Sequence, residues 1–165
     1  MPNQEGLKWF LENVGEKVHG QFPDLKFHIA GRNIDSFPFP SGRDRDGLYI
    51  VGEVENAYDF MNSKGIMIVP LLSGSGIRVK IIEGMALGKT IISTSLGAEG
   101  IPCKDGQNIL IADTPEAFAE KIAKCINEKM FFSIVGDNAH QFAKQRFSSR
   151  EVASKLLEFF RQHLS

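Results

Sequence analysis

Between Gly65 and Ser93 the apolar pattern changes period twice, and few folds accept such a stretch. Gly65-Ile-Met-Ile-Val-Pro70 is a short continuous apolar run of the kind that forms a buried strand. Ser73-Gly-Ser-Gly-Ile-Arg78 then opens with two glycines. After it Ile77, Ile81 and Met85 recur at helical spacing, with Val79, Ile82 and Ala86 beside them. Gly88 stops the helix, and Thr90-Ile-Ile-Ser93 reads as the next buried strand. Strand, glycine turn, helix and strand make a βαβ unit, which requires parallel pairing. In such a turn free N–H groups and the positive end of the helix dipole lie together, with little side-chain bulk to block close approach, and that suits phosphate. Glu83 falls two turns into the predicted helix, within reach of whatever the phosphates are attached to. Glycine turns of this type also serve simply to pack a helix closely on a strand, and Gly-x-Gly alone does not separate the two uses. The dinucleotide fingerprint is absent, since no third glycine follows Gly74 and Gly76 at the required distance. The Gly-Lys-Ser/Thr of a P-loop is absent too.

The flanking sequence repeats the alternation. Leu7, Phe10, Leu11, Val14 and Val18 predict a helix that Pro23 closes. Phe27–Ala30 is a short strand ending at Gly31-Arg32-Asn33, and Phe37 to Gly47 is a loop rich in turn formers and charge. Leu48–Val51 is a second strand ending at Gly52, and a short helix around Ala57–Asn62 follows. Beyond Ser93 come a glycine-rich loop from Leu96 to Gln107, a last strand Asn108–Ile111, and a helix opened by Thr114-Pro115-Glu116 and carrying Phe118, Ile122, Ala123 and Ile126. Two more helices, at about 131–145 and 149–163, fill the end, the second presenting Val152, Leu156, Phe159 and Phe160. The pattern predicts an α/β domain with a parallel sheet covered on both faces. Gly31, Gly52 and Gly74 gather at the carboxyl ends of the strands, where open α/β sheets bind ligands; each glycine is equally ordinary strand-to-helix punctuation.

Composition excludes several classes. With 165 residues the chain is expected to form one domain. A net charge of −1, with the basic residues scattered, argues against a nucleic-acid or acidic-membrane surface. Apolar runs fall far short of the roughly 20 residues that cross a bilayer. The start, Met1 to Gly6, has no basic head or apolar stretch, so no secretory signal is expected. Cys103 and Cys125 lack Cys-x-x-Cys spacing and read as free thiols in a reducing cytoplasm. His19, His28, His140 and His163 lie far apart, and no metal site is expected.

The order of Phe27–Gly31, then Val51-Gly-Glu-Val54 with Tyr58-Asp59, then Val69–Ser93, then Gly97-Ala-Glu-Gly-Ile101 and Asp105-Gly-Gln-Asn108 resembles the carboxyl-terminal domain of GT-B glycosyltransferases, in particular the retaining, family 4-like enzymes. The resemblance spans almost the whole chain. It implies a Rossmann-like three-layer α/β/α domain, residues 1–165, that binds a nucleotide-sugar donor, UDP- or GDP-linked, while a separate amino-terminal domain binds the acceptor. The backbone at Ser73, Gly74, Ser75, Gly76 and Ile77 would hold the diphosphate. Glu83 matches the glutamate that hydrogen-bonds the ribose hydroxyls; a carboxylate accepts from both at once. Read without the resemblance, Glu83 is a solvated helix residue. Gly31 and Arg32 match a loop close to the nucleotide, and Gly52, Glu53 and Val54 match the loop against the base. Arg78 and Lys80 either neutralise phosphate or lie on the exposed helix face.

Two departures stand out. Ser75 occupies the place, eight before Glu83, where the family often carries a second glutamate used on the donor sugar. The family's first, central strand and its acceptor domain have no counterpart here. The chain is therefore expected to be a fragment or one half of a split transferase, of hexosyltransferase type, binding nucleotide but transferring little by itself. No cofactor or catalytic side chain is assigned. The expected setting is the cytoplasm, with the missing domain a route to the inner membrane and to cell-envelope polysaccharide synthesis. The expected partners are that domain or a partner subunit. A different class of function is a non-catalytic module whose exposed sheet edges pair with a partner or a second copy. A flavodoxin-like regulatory or phosphosugar-binding domain would share the fold without needing Glu83.

Overall fold

A computed structural model describes residues 2–39 and 47–148. Helix α1 (Pro2–Phe10) runs through a single π-type stretch, Leu11–Gly15, into α2 (Glu16–Gln21). The apolar stripe predicted for this segment is real: Phe10, Leu11, Val14 and Val18 are all buried. Strand β1 (Phe27–Ala30) pairs in parallel with β2 (Leu48–Gly52), in the register Phe27 to Leu48 and Ile29 to Ile50. Helix α3 (Ala57–Asn62) is capped by Asn56, whose side chain accepts from the N–H groups of Tyr58 and Asp59. Then follow β3 (Ile66–Val69), α4 (Val79–Ala86), β4 (Thr90–Ser93) and β5 (Leu110–Ile111), with β3, β4 and β5 parallel and adjacent in that order. Helix α5 (Pro115–Asn127), capped by Thr114, and α6 (Lys129–Phe147) complete the described chain. The helix predicted at 149–163 and residues 40–46 of the predicted loop lie outside the described residues.

Strand β4 shows why the fold is layered. All four of its residues are buried, and its successive side chains serve different layers: Ile92 joins Phe10, Val14, Phe118 and Ile122, whereas Ile91 joins Ile81, Met85, Ile109 and Ala139. A strand covered on both faces is apolar at its centre, here Ile91 and Ile92, and the buried hydroxyls at its ends are hydrogen-bonded, Thr90 to Phe132 O and Ser93 to Val69 O. Helices α1, α2 and α5 therefore cover one face and α4 and α6 the other, giving a Rossmann-like three-layer domain.

The sheet is divided into β1–β2 and β3–β4–β5, which leaves exposed strand edges as expected, and β1 and β3 are only half-buried where β4 is wholly buried. Three expectations need correction. The last strand is shorter than Asn108–Ile111: Ile109 bridges to Asp105 in the preceding loop, and Leu110 and Ile111 are the residues that pair with β4. The helix predicted at 131–145 extends two residues further at each end. Helix α4 begins at Val79 rather than Ile77, so Ile77 lies before it, and Ile77, Val79 and Ala86 are exposed while Ile81 and Met85 form its buried face.

Candidate functional site

The carboxyl ends of β1, β2 and β3 point to one end of the molecule, and the loops that leave them are tied by specific contacts. Ser93 Oγ and Thr94 Oγ1 donate to Val69 O and Leu71 O at 3.2 and 2.6 Å, fixing the chain where it leaves β3. Helix α1 approaches from the other side. A Cβ on Gly6 would lie 2.1 Å from Pro70 O, so only glycine lets the first turn of α1 rest on the end of β3. Ser73 Oγ donates to Glu5 Oε2 at 2.6 Å, and Pro2 lies beside Gly74. The role of Glu5 and Gly6 in seating the glycine turn escaped the sequence reading; a glycine inside an otherwise helical pattern was the available signal.

The turn itself has the backbone that its composition predicts. Gly74 and Gly76 have φ of +104° and +87°, values that side chains with a Cβ rarely adopt. Space differs between them. A Cβ on Gly74 would meet Arg78 Nη2 at 2.7 Å, whereas one on Gly76 would meet nothing within 4 Å. The N–H groups of Ser75, Gly76 and Ile77 have no backbone partner among the described residues. Helix α4 starts without a side-chain cap and has no acidic residue in its first turn. The N–H groups of Val79 and Lys80 therefore remain open among the described residues, while that of Ile81 donates to Arg78 O at 2.9 Å.

Two cations sit where dipole logic would place acids. Arg78 is the N-cap residue, not a helix-face residue, and its guanidinium folds back to donate through Nη1 to Ser75 O at 2.9 Å. Among the described residues its Nε and Nη2 are shut away from solvent with no hydrogen-bond partner. Lys80 does lie on the exposed face, and its Nζ is 2.7 Å from Glu83 Oε2. That contact is a charge contact and not an aligned hydrogen bond, since Glu83 Oε2 has no hydrogen-bond partner. Glu83 is just over one turn into α4, not two, and its side chain is 21% exposed. It is a half-buried carboxylate, not a solvated one.

The other two loops meet each other. Arg32 Nε donates to Glu53 Oε1 at 3.0 Å, joining the turn after β1 to the turn after β2. Gly31, Arg32, Glu53, Val54, Ile77, Arg78 and Lys80 line one cavity. Gly52, Ser73, Gly74, Ser75, Gly76 and Glu83 do not line it; the glycine turn runs directly into Ile77 and Arg78, which do. Among the described residues no group of His, Cys, Asp and Glu is placed to hold a metal ion, and no helix is long and apolar enough to cross a membrane.

The fold is found in known proteins. Residues 1–128 match the family model described as glycosyl transferases group 1. A protein of Klebsiella pneumoniae, named as an uncharacterized 44.6 kDa protein in the cps region, is 27% identical over 96% of this chain and 43% of its own length. Among solved structures, S. aureus TarM in a complex containing UDP superposes with a TM-score of 0.77 at 18% identity, over 97% of this chain and 33% of that one. Anabaena HepE in complex with UDP superposes with a TM-score of 0.63 at 18% identity, over 70% and 32%. The chain thus spans less than half of the Klebsiella relative it matches. It belongs to the group 1 glycosyl transferases.

Proposed function

We propose that this chain is the donor-binding domain of a glycosyltransferase and holds the nucleoside diphosphate of a UDP- or GDP-sugar at the start of α4. The observation that carries the reading is the charge at that helix start. Arg78 and Lys80 stand at the positive end of the dipole, with open N–H groups around them and no acid in the first turn. A cation so placed is unfavourable by about 0.3–1 kcal/mol, and a bound diphosphate reverses the sign. The solvent-shielded, unpartnered N–H groups of Arg78 supply charge-assisted donors for it. Glu83, one turn on, would accept from the ribose hydroxyls after leaving Lys80. The paired loops of Arg32 and Glu53 would border the base.

The chemistry of transfer here is positioning and electrostatics: the helix start and its cations stabilise the charge that develops on the departing diphosphate. No side chain of this chain is assigned as nucleophile or general base. An acceptor domain, in a longer polypeptide or a partner subunit, would complete the cleft and receive the hexosyl group. The cps designation of the Klebsiella relative supports a place in cell-envelope polysaccharide synthesis, with the reaction on the cytoplasmic side. The complexes of TarM and HepE make UDP the first nucleotide to test.

Calorimetry with UDP and GDP tests the reading. Saturable binding of one of them is expected, lost in Arg78→Gln without a fall in melting temperature. Absence of binding by both at millimolar concentration would overturn it. The split sheet favours a second reading, a module that associates through its strand edges. A tight oligomer indifferent to nucleotide, seen by light scattering, would select that one.

A further inference from the structure

Glu5 is an acid beside a turn that suits an anion. It stands exposed in the first turn of α1, and its Oε2 accepts from Ser73 Oγ at 2.6 Å. Among the described residues its Oε1 has no hydrogen-bond partner, and no cation pairs with the carboxylate. Lys8, the basic residue of the same helix, lies against Glu12, and Arg78 turns to Ser75 O. Glu5 thus presents an uncompensated negative charge, with one oxygen uncommitted, to whatever the turn holds.

Fastening α1 to the turn does not require that charge. A neutral glutamine would accept from Ser73 Oγ as well, and beside a diphosphate an acid opposes binding. The dipole of α1 favours an acid at its start. That accounts for the helix, but not for a contact with a residue 68 positions away.

The direction of a donor across the turn follows from the nucleotide reading above, on which this inference rests. A nucleotide-sugar carries its nucleoside on one phosphorus and its sugar on the other. With the ribose at Glu83, inside α4, the sugar-bearing phosphate lies toward the opposite end of the turn, at Gly74 and Ser73. Arg78 Nη2 is 2.7 Å from where a Cβ on Gly74 would stand, so an unpartnered donor is available at that end. Pro2 Cγ is 3.4 Å from the same point, and Glu5 is on Ser73. The first turn of α1 is therefore the wall that the sugar meets.

We propose that Glu5 selects the donor sugar by charge, favouring neutral hexosyl and N-acetylhexosaminyl groups over hexuronyl groups. Two effects act together. Oε1 accepts from a sugar hydroxyl, and a carboxylate is a stronger acceptor than a neutral oxygen. A hexuronyl group brings its own carboxylate to the same wall. At a separation of about 6 Å and an effective dielectric of about 40, that repulsion is worth roughly tenfold in affinity. Building a repulsion against the wrong ligand is a general route to specificity.

The test compares donors that differ in one group: UDP-glucose with UDP-glucuronate, and GDP-mannose with GDP-mannuronate, each beside its free nucleotide. Calorimetry on the 165-residue chain is expected to show the uronate donor bound about tenfold more weakly than its neutral counterpart. Glu5→Gln keeps an acceptor for Ser73 Oγ and removes the charge. In that variant the ratio should fall to about threefold or less, through tighter binding of the uronate donor and with the melting temperature held. Added salt should narrow the gap in the parent. Equal binding of the two donors by the parent overturns the proposal, as does a gap that persists in Glu5→Gln. A variant that loses every ligand alike, with a lower melting temperature, shows that Glu5 serves only to fasten α1 to the turn, and the proposal falls. If neither free nucleotide binds the parent, the nucleotide reading fails and this inference with it. Nucleotide binding with no discrimination between the sugars overturns this inference alone.

Discussion

Glu83→Gln separates a ribose contact from a structural ion pair. Glu83 is half-buried at 21% exposure and Lys80 is 61% exposed, so their contact is a solvent-screened i,i+3 pair. Such pairs contribute about 0.2–0.5 kcal/mol, and Gln has nearly the same helix propensity as Glu. The melting temperature should therefore move by less than about 2 °C, since 1 kcal/mol corresponds to roughly 2–4 °C in a domain of this size. Binding should respond far more. The amide keeps one acceptor and turns the other into a donor, so one charge-assisted hydrogen bond to the diol is lost. That is worth about 1–3 kcal/mol, or roughly 5- to 150-fold in UDP affinity. Pyrophosphate has no ribose and should bind parent and variant alike. Titrating UDP and pyrophosphate into both proteins by calorimetry gives the four numbers required. A variant that binds UDP as the parent does removes Glu83 from the site, and one that loses pyrophosphate equally shows an effect on the glycine turn instead of the ribose.

Other outcomes follow from packing and charge. Gly6→Ala and Gly20→Ala make the same chemical change in two helices with opposite expected signs: a Cβ at Gly6 meets Pro70 O at 2.1 Å, whereas one at Gly20 meets nothing within 4 Å. Urea unfolding should show the first destabilised by about 1–3 kcal/mol and the second stabilised by about 0.5–1 kcal/mol. His28 is held below the ordinary 6.5 by burial and by the nearby Lys64 and Lys26 charges. The unfolded chain thus takes up the proton more readily, and stability should fall as pH drops through 6.5 toward the folded value; His28→Gln should flatten that part of the urea-midpoint profile. Burial pushes the Cys125 thiol up to about 11. An alkylating reagent near neutral pH should therefore modify the half-exposed Cys103 first and reach Cys125 on the timescale of unfolding, which mass spectrometry resolves.

What could be read from the sequence was whatever local chemistry controls. Ala57–Asn62 and Thr114-Pro115 announce helices because Asn56 and Thr114 cap them with their own side chains. Thr90–Ser93 reads as a central strand because two layers demand apolar residues on both its faces, which Ile91 and Ile92 supply. The glycine turn was legible because positive φ leaves few other residues to choose from. The start of α4 was misread, since Ile77 and Val79 are apolar in the right rhythm yet exposed, and periodicity cannot say which apolar residues find a partner. Equally hidden were contacts between distant segments: Ser73 with Glu5, Arg32 with Glu53, and Lys80 placed on Glu83 instead of facing the glycine turn. The physical form of the divided sheet, two half-buried edges on one cavity, is a property of the assembled chain.

The arrangement of β3, α4, β4 and β5 also bears on how the chain reaches its native state. These elements are consecutive in sequence; β4 has buried residues in both core clusters and, alone among the described strands, carries a paired neighbour on each edge. Contacts close in sequence cost least loop entropy, so a nucleus built on Ile91 and Ile92 would form early, with β1–β2 joining it late. On that route, truncating Ile92 slows folding, whereas truncating Ile50 in β2 chiefly hastens unfolding. The glycine turn would then be assembled before the Arg32–Glu53 loops arrive, and a chain arrested halfway would already possess the part of its surface proposed to hold the diphosphate.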